Sequence, residues 1–358
     1  MKILITGGHP APALAVIEEL RKHPQHTIDF VGRQFSQEGG KAESYEYKQI
    51  KKLGISFHNL RTGRLTRIVS LEMVKDGFLT VYGFYNSLSI LTKLKPDVVM
   101  SFGGYIALPI CYVAKVMGIQ VITHEQTISP GLANKTIGYI ADKVLVSFPE
   151  TIKYFRVNKT RVTGNPIRFQ ARRTIKKPFD LPAQKPILYV TGGSLGSHSI
   201  NLHIEKVLDQ LLKHFTVIHQ VGNVEKYGDF KRLSKVRRKN YYVVEHFHSD
   251  EVGWVLRNAH IIVSRAGANT LFELIHYRKP CVLIPLPWSA NGEQERHAKL
   301  LAQAGAAEIF DQYNSSDALV DKILHIYSHY SDYKKGYISL QEYLHDDAAA
   351  LIVQEILE

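Results

Sequence analysis

The chain has 358 residues, 45% of them hydrophobic and 22% charged, which fits two ordinary globular domains and excludes a disordered or fibrous chain. Its two cysteines, Cys111 and Cys281, lie far apart in apolar runs, which excludes a disulfide scaffold and fits a reducing, cytoplasmic compartment. The net charge of +12 is one-sided: residues 1–165 hold 21 Lys/Arg against 12 Asp/Glu, residues 166–180 hold 5 against 1, and residues 181–358 hold 19 against 20. An excess confined to the first half suits a polyanionic partner such as lipid headgroups, phosphorylated ligands or nucleic acid. A solvated basic face is the plain alternative.

A strand is predicted from Lys2, so no signal peptide is expected. No apolar run reaches the ~18 residues of a membrane span. The histidines are scattered without metal-ligand spacing, so no metal site is expected. Strands are predicted at 2–6, 28–31, 97–101, 119–123 and 143–147, separated by helix-length segments, which is the βαβ pattern of a parallel sheet. Between them, residues 61–95 interleave Arg61, Arg64, Arg67 and Lys75 with Phe78, Tyr82, Phe84 and Tyr85. A basic and aromatic helix suits a membrane surface, and a core helix with a solvated edge fits equally. Residues 169–186 are basic, carry Pro178, Pro182 and Pro186, and read as a linker. A second series follows, with strands at 187–191, 216–220, 241–245, 260–264 and 281–285. Residues 316–358 read as terminal helices. The last, Ala348–Leu357, is apolar enough to pack back on the first domain, a point the sequence leaves open.

The two series say nearly the same thing. Lys2-Ile-Leu-Ile-Thr6 runs into Gly7-Gly8-His9, and Ile187-Leu-Tyr-Val-Thr191 into Gly192-Gly193-Ser194-Leu195-Gly196. Later in each series, Ser101-Phe-Gly103-Gly104-Tyr105 and Ser264-Arg265-Ala-Gly267-Ala268 again join a strand to a helix. Glycine lets backbone N–H groups approach a phosphate, and a helix N-terminus offers about half a positive charge. Two doubly wound α/β domains of this kind would take ligands in a cleft between them. The second loop lacks the Lys of a nucleotide-binding P-loop and the full dinucleotide fingerprint, which weakens ATPase and dehydrogenase readings. Its Ser197 and His198 are placed to cap the helix or touch a ligand. Glu273, one turn into its helix, has the chemistry to accept bonds from a ribose diol, although a helix-start carboxylate is the simpler role.

Five segments occur in order: His124-Glu125-Gln126, Pro130-Gly-Leu-Ala-Asn134, Gly164-Asn-Pro-Ile-Arg168, Gly192-Gly-Ser-Leu-Gly196 and Arg265-Ala-Gly-Ala268. The chain resembles the MurG-type glycosyltransferases of the GT-B fold from residue 2 to about 310. The resemblance implies two Rossmann-like domains: 1–165 for the acceptor and membrane, and, after a linker at 166–185, residues 186–330 for a UDP-sugar, with helices at 331–358. It implies inverting transfer of N-acetylglucosamine from UDP-N-acetylglucosamine to a polyprenyl-diphosphate-linked muropeptide, lipid I-like or pseudomurein-like. The expected location is the cytoplasmic face of the membrane, bound peripherally.

By the same resemblance, Arg168, Ser194, His248, Ala268, Asn269, Thr270, Glu273, Glu293, Gln294 and Thr127 would serve the donor. Thr6, Gly7, Gly8, Gly103, Gly104 and Tyr105 would serve the acceptor diphosphate. Arg64, Arg67, Lys75, Phe78, Tyr82 and Phe84 would meet an anionic membrane. The base is expected to be His9, with Glu125 second, and no cofactor or metal is implied. Several positions depart from the family pattern. The first glycine loop is short, Thr127 stands where Asn is usual, Leu195 where Gln is usual, and His297 where Asn is usual. Alternatives are a transferase of another UDP-sugar or lipid acceptor, a UDP-sugar 2-epimerase, and a non-catalytic membrane-docking subunit. No nucleic-acid recognition motif is present.

Overall fold

The computed structural model describes residues 1–35, 43–63, 71–167, 176–181, 185–193, 195–222, 225–248, 250–345 and 347–358, with backbone alone for 71–76 and 225. The chain forms two compact units, Met1–Arg168 with His345–Glu358, and Phe169–Leu344. The return to the first unit therefore lies after Leu344, later than the 331 start given to the terminal helices. Residues 330–344 stay with the second unit, where Tyr337 is fully buried against Lys279 and Cys281.

In the first unit, strands β1 (Lys2–Thr6), β2 (Thr27–Gly32), β3 (Ser56–Asn59), β4 (Val98–Ser101), β5 (Gln120–Glu125), β6 (Lys143–Val146) and β7 (Thr160–Val162) form one parallel sheet in the order β3-β2-β1-β4-β5-β6-β7. The order reverses between β1 and β4. Both faces are covered, so the central strands carry consecutive apolar residues, such as Ile3-Leu4-Ile5 and Val98-Val99-Met100, rather than alternating. Ile3 and Ile5 face one core with Val98, Met100 and Leu145. Leu4 faces the other with Val99, Val121 and Val144. Helix α1 (Pro10–Leu20) starts with proline at its first position, where the missing N–H costs nothing. The C-terminal helix Ala348–Leu357 lies on the same face as α1, burying Ile352, Val353 and Ile356 in that core. Lys143 fixes it through the Glu355 carboxylate at 2.9 Å.

In the second unit, β8 (Ile187–Thr191), β9 (Thr216–Gln220), β10 (Tyr241–Val244), β11 (Ile261–Ser264), β12 (Cys281–Leu283) and β13 (Ala307–Ile309) pair in parallel as β10-β9-β8-β11-β12-β13, reversing between β8 and β11. Part of the predicted linker lies among the described residues. Lys176 donates its N–H to the Asp250 carbonyl and pairs with Glu251, and Phe179 packs on Tyr242 and Phe247 with ring centres 5.0 and 6.0 Å away. An aromatic inside a basic, proline-rich run was enough to seat it.

Ile356 sits near the chain end but is fully buried. Ile356→Ala is expected to destabilise the first unit by ~2–4 kcal/mol, read as a lower urea midpoint. An unchanged midpoint would mean that this helix contributes no core.

Candidate functional site

In the first unit the loops leaving β1 and β4 meet at the point where the strand order reverses. Gly8 donates its N–H to the Gly103 carbonyl at 2.8 Å, and Phe102 donates to Thr6 at 2.7 Å. Gly104 has φ +79°, and a Cβ there would lie 2.9 Å from the Gly8 Cα. The turns fit together only because neither side carries a side chain. Thr6 is fully buried beneath them. His9 is the N-cap of α1 and keeps a partly exposed edge. Burial lowers its pKa from 6.5 to about 4, so its imidazole is neutral. Tyr105 flanks the second turn, with the Arg33 guanidinium 5.5 Å above its ring.

Next to this turn lies a buried polar cluster at the end of β5. Glu125 is 2% exposed. One carboxylate oxygen accepts the Thr127 N–H at 2.8 Å and faces its hydroxyl at 2.7 Å, and the other accepts the Asn134 amide at 2.9 Å. Burial raises its pKa, against these bonds and one from the Gly131 backbone. Glu125 therefore holds the loop into α5 (Leu132–Ile140), and Thr127 is turned inward onto it. His124 is also buried. Its Nε2 lies 3.1 Å from the Gly164 carbonyl and 3.3 Å from the Ser147 hydroxyl. Burial foremost, with His9 nearby, lowers its pKa to about 4.

In the second unit, α6 (His198–His214) follows the β8 loop. After α7 (Asp229–Leu233) and α8 (Val252–Asn258), α9 (Ala268–Tyr277) follows β11 with Gly267 as N-cap. Ala268, Asn269 and Thr270 thus form the first turn of a helix at the strand reversal. Glu273, one turn on, lies close enough to Tyr189 for its charge, after burial, to raise that phenol's pKa. Gln220 bridges the loops of β8 and β10, donating to Gly193 and accepting from the Tyr189 hydroxyl and the Phe247 N–H. His248 is exposed, but its N–H goes to the Glu251 carboxylate at 3.1 Å and its carbonyl accepts from Glu251 and Val252. Glu293 and Gln294 open α10 (Glu293–Gln303), and the Gln294 side-chain oxygen Oε1 accepts the Leu286 N–H at 3.0 Å.

Residues 6–146 match the glycosyltransferase family 28 N-terminal domain, and residues 187–346 match the glycosyltransferase family 28 C-terminal domain. The chain belongs to glycosyltransferase family 28. A relative from Clostridium tetani, named UDP-N-acetylglucosamine–N-acetylmuramyl-(pentapeptide) pyrophosphoryl-undecaprenol N-acetylglucosamine transferase, is 33% identical over 94% of this chain and 92% of its own. Among solved structures, MurG of Acinetobacter baumannii superposes on this family 28 chain with a TM-score of 0.73 at 22% identity, covering 99% of each. The UDP-GlcNAc 2-epimerase of Neisseria meningitidis, bound to UDP-GlcNAc, does so at 0.69 and 16% over the whole of both chains. These likenesses show the fold, which is GT-B.

Several expected site residues of the family 28 chain have no described surroundings. Arg168, Ser194, Arg64 and Arg67 lie outside the described residues, and Lys75 is described in backbone only. Phe78 and Tyr82 lie on helix α3 (Leu71–Leu94) with 75% and 49% exposure. Phe84, on the same helix, is half-buried, while Val81 and Tyr85 are each 70% exposed. Helix period decides this, since 78, 81, 82 and 85 share one face and 84 does not. No group of described residues has a metal-holding arrangement, and no helix searched is long and apolar enough to cross a membrane.

Two residues that the sequence analysis named without assigning them a role organise the second unit's edge. Arg265 reaches the hydroxyls of Ser197 and Ser199 and the Gln312 amide oxygen at 2.8–2.9 Å, and the carbonyls of Ile284 and Pro285 at 3.0 and 3.3 Å. It ties the ends of β8, β12 and β13 together, and burial lowers its pKa to about 10. His297 is fully buried and bonds the Ala266 carbonyl through Nδ1 at 3.0 Å. An arginine between a buried strand and a glycine was the available signal for the first. The second had only its place on the inner face of α10.

Burial lowers the pKa of His9, His124 and His297 to about 4 and of His219 to about 3. The unfolded chain takes up protons near 6.5 that the folded chain refuses, so stability is full above pH 6.5 and lost as pH falls towards 4. Urea midpoints are expected to be level from pH 7 to 8 and to drop by pH 5. A flat profile to pH 5 would show these imidazoles to be solvated.

Proposed function

We propose that this chain transfers N-acetylglucosamine, with inversion, from UDP-N-acetylglucosamine to a polyprenyl-diphosphate-linked muropeptide, as the name of its Clostridium relative describes. The observation that carries the chemistry is the place of His9, the N-cap of α1 directly after the interlocked turns, where burial favours its neutral form. His9 takes the proton from the acceptor hydroxyl as that oxygen attacks the anomeric carbon. The bond from that carbon to the β-phosphate oxygen breaks, and its electron pair leaves with UDP. The first turn of α9, at Ala268, Asn269 and Thr270, faces the charge that develops on the diphosphate, with Arg168 and Ser194 assigned to the same task. Glu273 takes the ribose, and Gln294, through its amide donors, the sugar.

The acceptor diphosphate is assigned to Gly7, Gly8, Gly103, Gly104 and Tyr105. Thr6, buried below, shapes the turn rather than meeting ligand. Glu125 and Thr127 order the neighbouring loop, so the base is His9 alone. The acceptor's lipid requires a membrane surface. The face of α3 with Phe78, Val81, Tyr82 and Tyr85 is the proposed contact at the cytoplasmic leaflet, with Arg64, Arg67 and Lys75 for anionic headgroups.

His9→Ala is expected to lower kcat about 10²–10⁴-fold with the KM for UDP-N-acetylglucosamine nearly unchanged. Unaltered kcat in a transfer assay would remove His9 from the reaction. Replacing Phe78 and Tyr85 together by serine is expected to reduce sedimentation with anionic vesicles, while calorimetry still finds UDP-N-acetylglucosamine bound. Undiminished sedimentation would place the membrane contact elsewhere.

A further inference from the structure

The β12–α10 connection carries an indole whose presentation the site described so far does not use. Trp288 is 69% exposed. A single exposed aromatic is ordinary on a protein surface, but this one stands on a braced turn. Pro285 and Pro287 fix their own φ. The Ser289 N–H closes the turn onto the Leu286 carbonyl at 3.0 Å, which puts Pro287 and Trp288 at its two central positions. The turn is then held from both sides. Gln294 accepts the Leu286 N–H at 3.0 Å, and its own N–H reaches the Ser289 hydroxyl at 3.4 Å. Arg265 holds the Ile284 and Pro285 carbonyls.

These two anchors belong to the donor side of the second unit. Arg265 precedes the helix start assigned to the diphosphate, and Gln294 is the residue assigned to the sugar. Strand β12 pairs directly with β11, Ser264 opposite Leu283, so the Trp288 turn and the start of α9 leave the same edge from neighbouring strands. Ligand sites combine a few placed polar groups with apolar walls. The assigned groups here are polar or backbone, while a pyranose with an acetamido group offers a C–H face and a methyl that polar groups leave unmatched. A large rigid ring on a fixed turn supplies that contact with little loss of freedom.

We propose that Trp288 packs on the N-acetylhexosamine of the donor and helps determine which UDP-sugar is accepted. This rests on the reading of the second unit as the UDP-sugar site. Trp288 and Trp254 are the chain's two tryptophans, so Trp254→Phe leaves Trp288 as the sole indole reporter. In that full-length variant, UDP-N-acetylglucosamine is expected to change the emission and UDP alone to leave it unchanged. By calorimetry, Trp288→Ala is expected to weaken UDP-N-acetylglucosamine about three- to tenfold with UDP affinity unaltered, and Trp288→Phe to keep most of the binding. Calorimetric binding of the sugar nucleotide with unchanged Trp288 emission overturns the inference and leaves the proposed function standing. An equal response to UDP overturns it in favour of a nucleotide contact. Absence of binding by either ligand to the native chain overturns the donor reading itself.

Discussion

The approach of bare backbone to bare backbone between loops that leave neighbouring strands is the constraint on which both units depend. In the first unit Gly8 lies against Gly103 and Gly104. In the second, Gly196, with φ +79°, lies against Val221 and Gly222, and a Cβ on Gly196 would overlap the Val221 carbonyl. A parallel sheet opens a crevice where its strand order reverses. In the first unit the crevice floor is closed by the loops themselves, with no side chain between Gly8 and Gly104. The position of His9 follows from this, because it is the residue that leaves the first turn and caps α1.

Side chains enter the same edge as bracing more than as ligands. A carboxylate as buried as Glu125 is tolerated only where donors surround it. Asn134, Thr127 and Gly131 supply them. At one departure from the family pattern, Thr127 places both its N–H and its hydroxyl on the carboxylate. At another, His297 places Nδ1 on the Ala266 carbonyl just before α9. Both residues bond inside the protein. The change from glutamine to leucine at 195 is different, because Leu195 is 76% exposed and replaces an amide with an apolar surface.

The central strands were legible because burial on both faces leaves an apolar run with no other reading. β3, β7 and β13 were not foreseen. Each lies at the edge of its sheet, and their sequences, Ser-Phe-His-Asn, Thr-Arg-Val and Ala-Glu-Ile, are short and partly polar, as one-sided burial allows. The glycine turns of the site were legible for the same reason that they work: few other residues make that backbone. The braces were not. Arg265 bonds residues on both sides of it in sequence, out to Gln312, and no spacing rule joins those positions.

The neutrality of His9 also bears on when it can act. A base whose pKa is about 4 takes a proton less readily than one near 7. In the free protein, enclosure holds His9 there, and His124 is held low beside it. In the proposed reaction the acceptor brings a diphosphate to the adjacent turns. A negative charge near an imidazole favours its protonated form and opposes the penalty of burial. Seating the acceptor would therefore strengthen the base that is to deprotonate it: the charge that activates His9 arrives with the substrate.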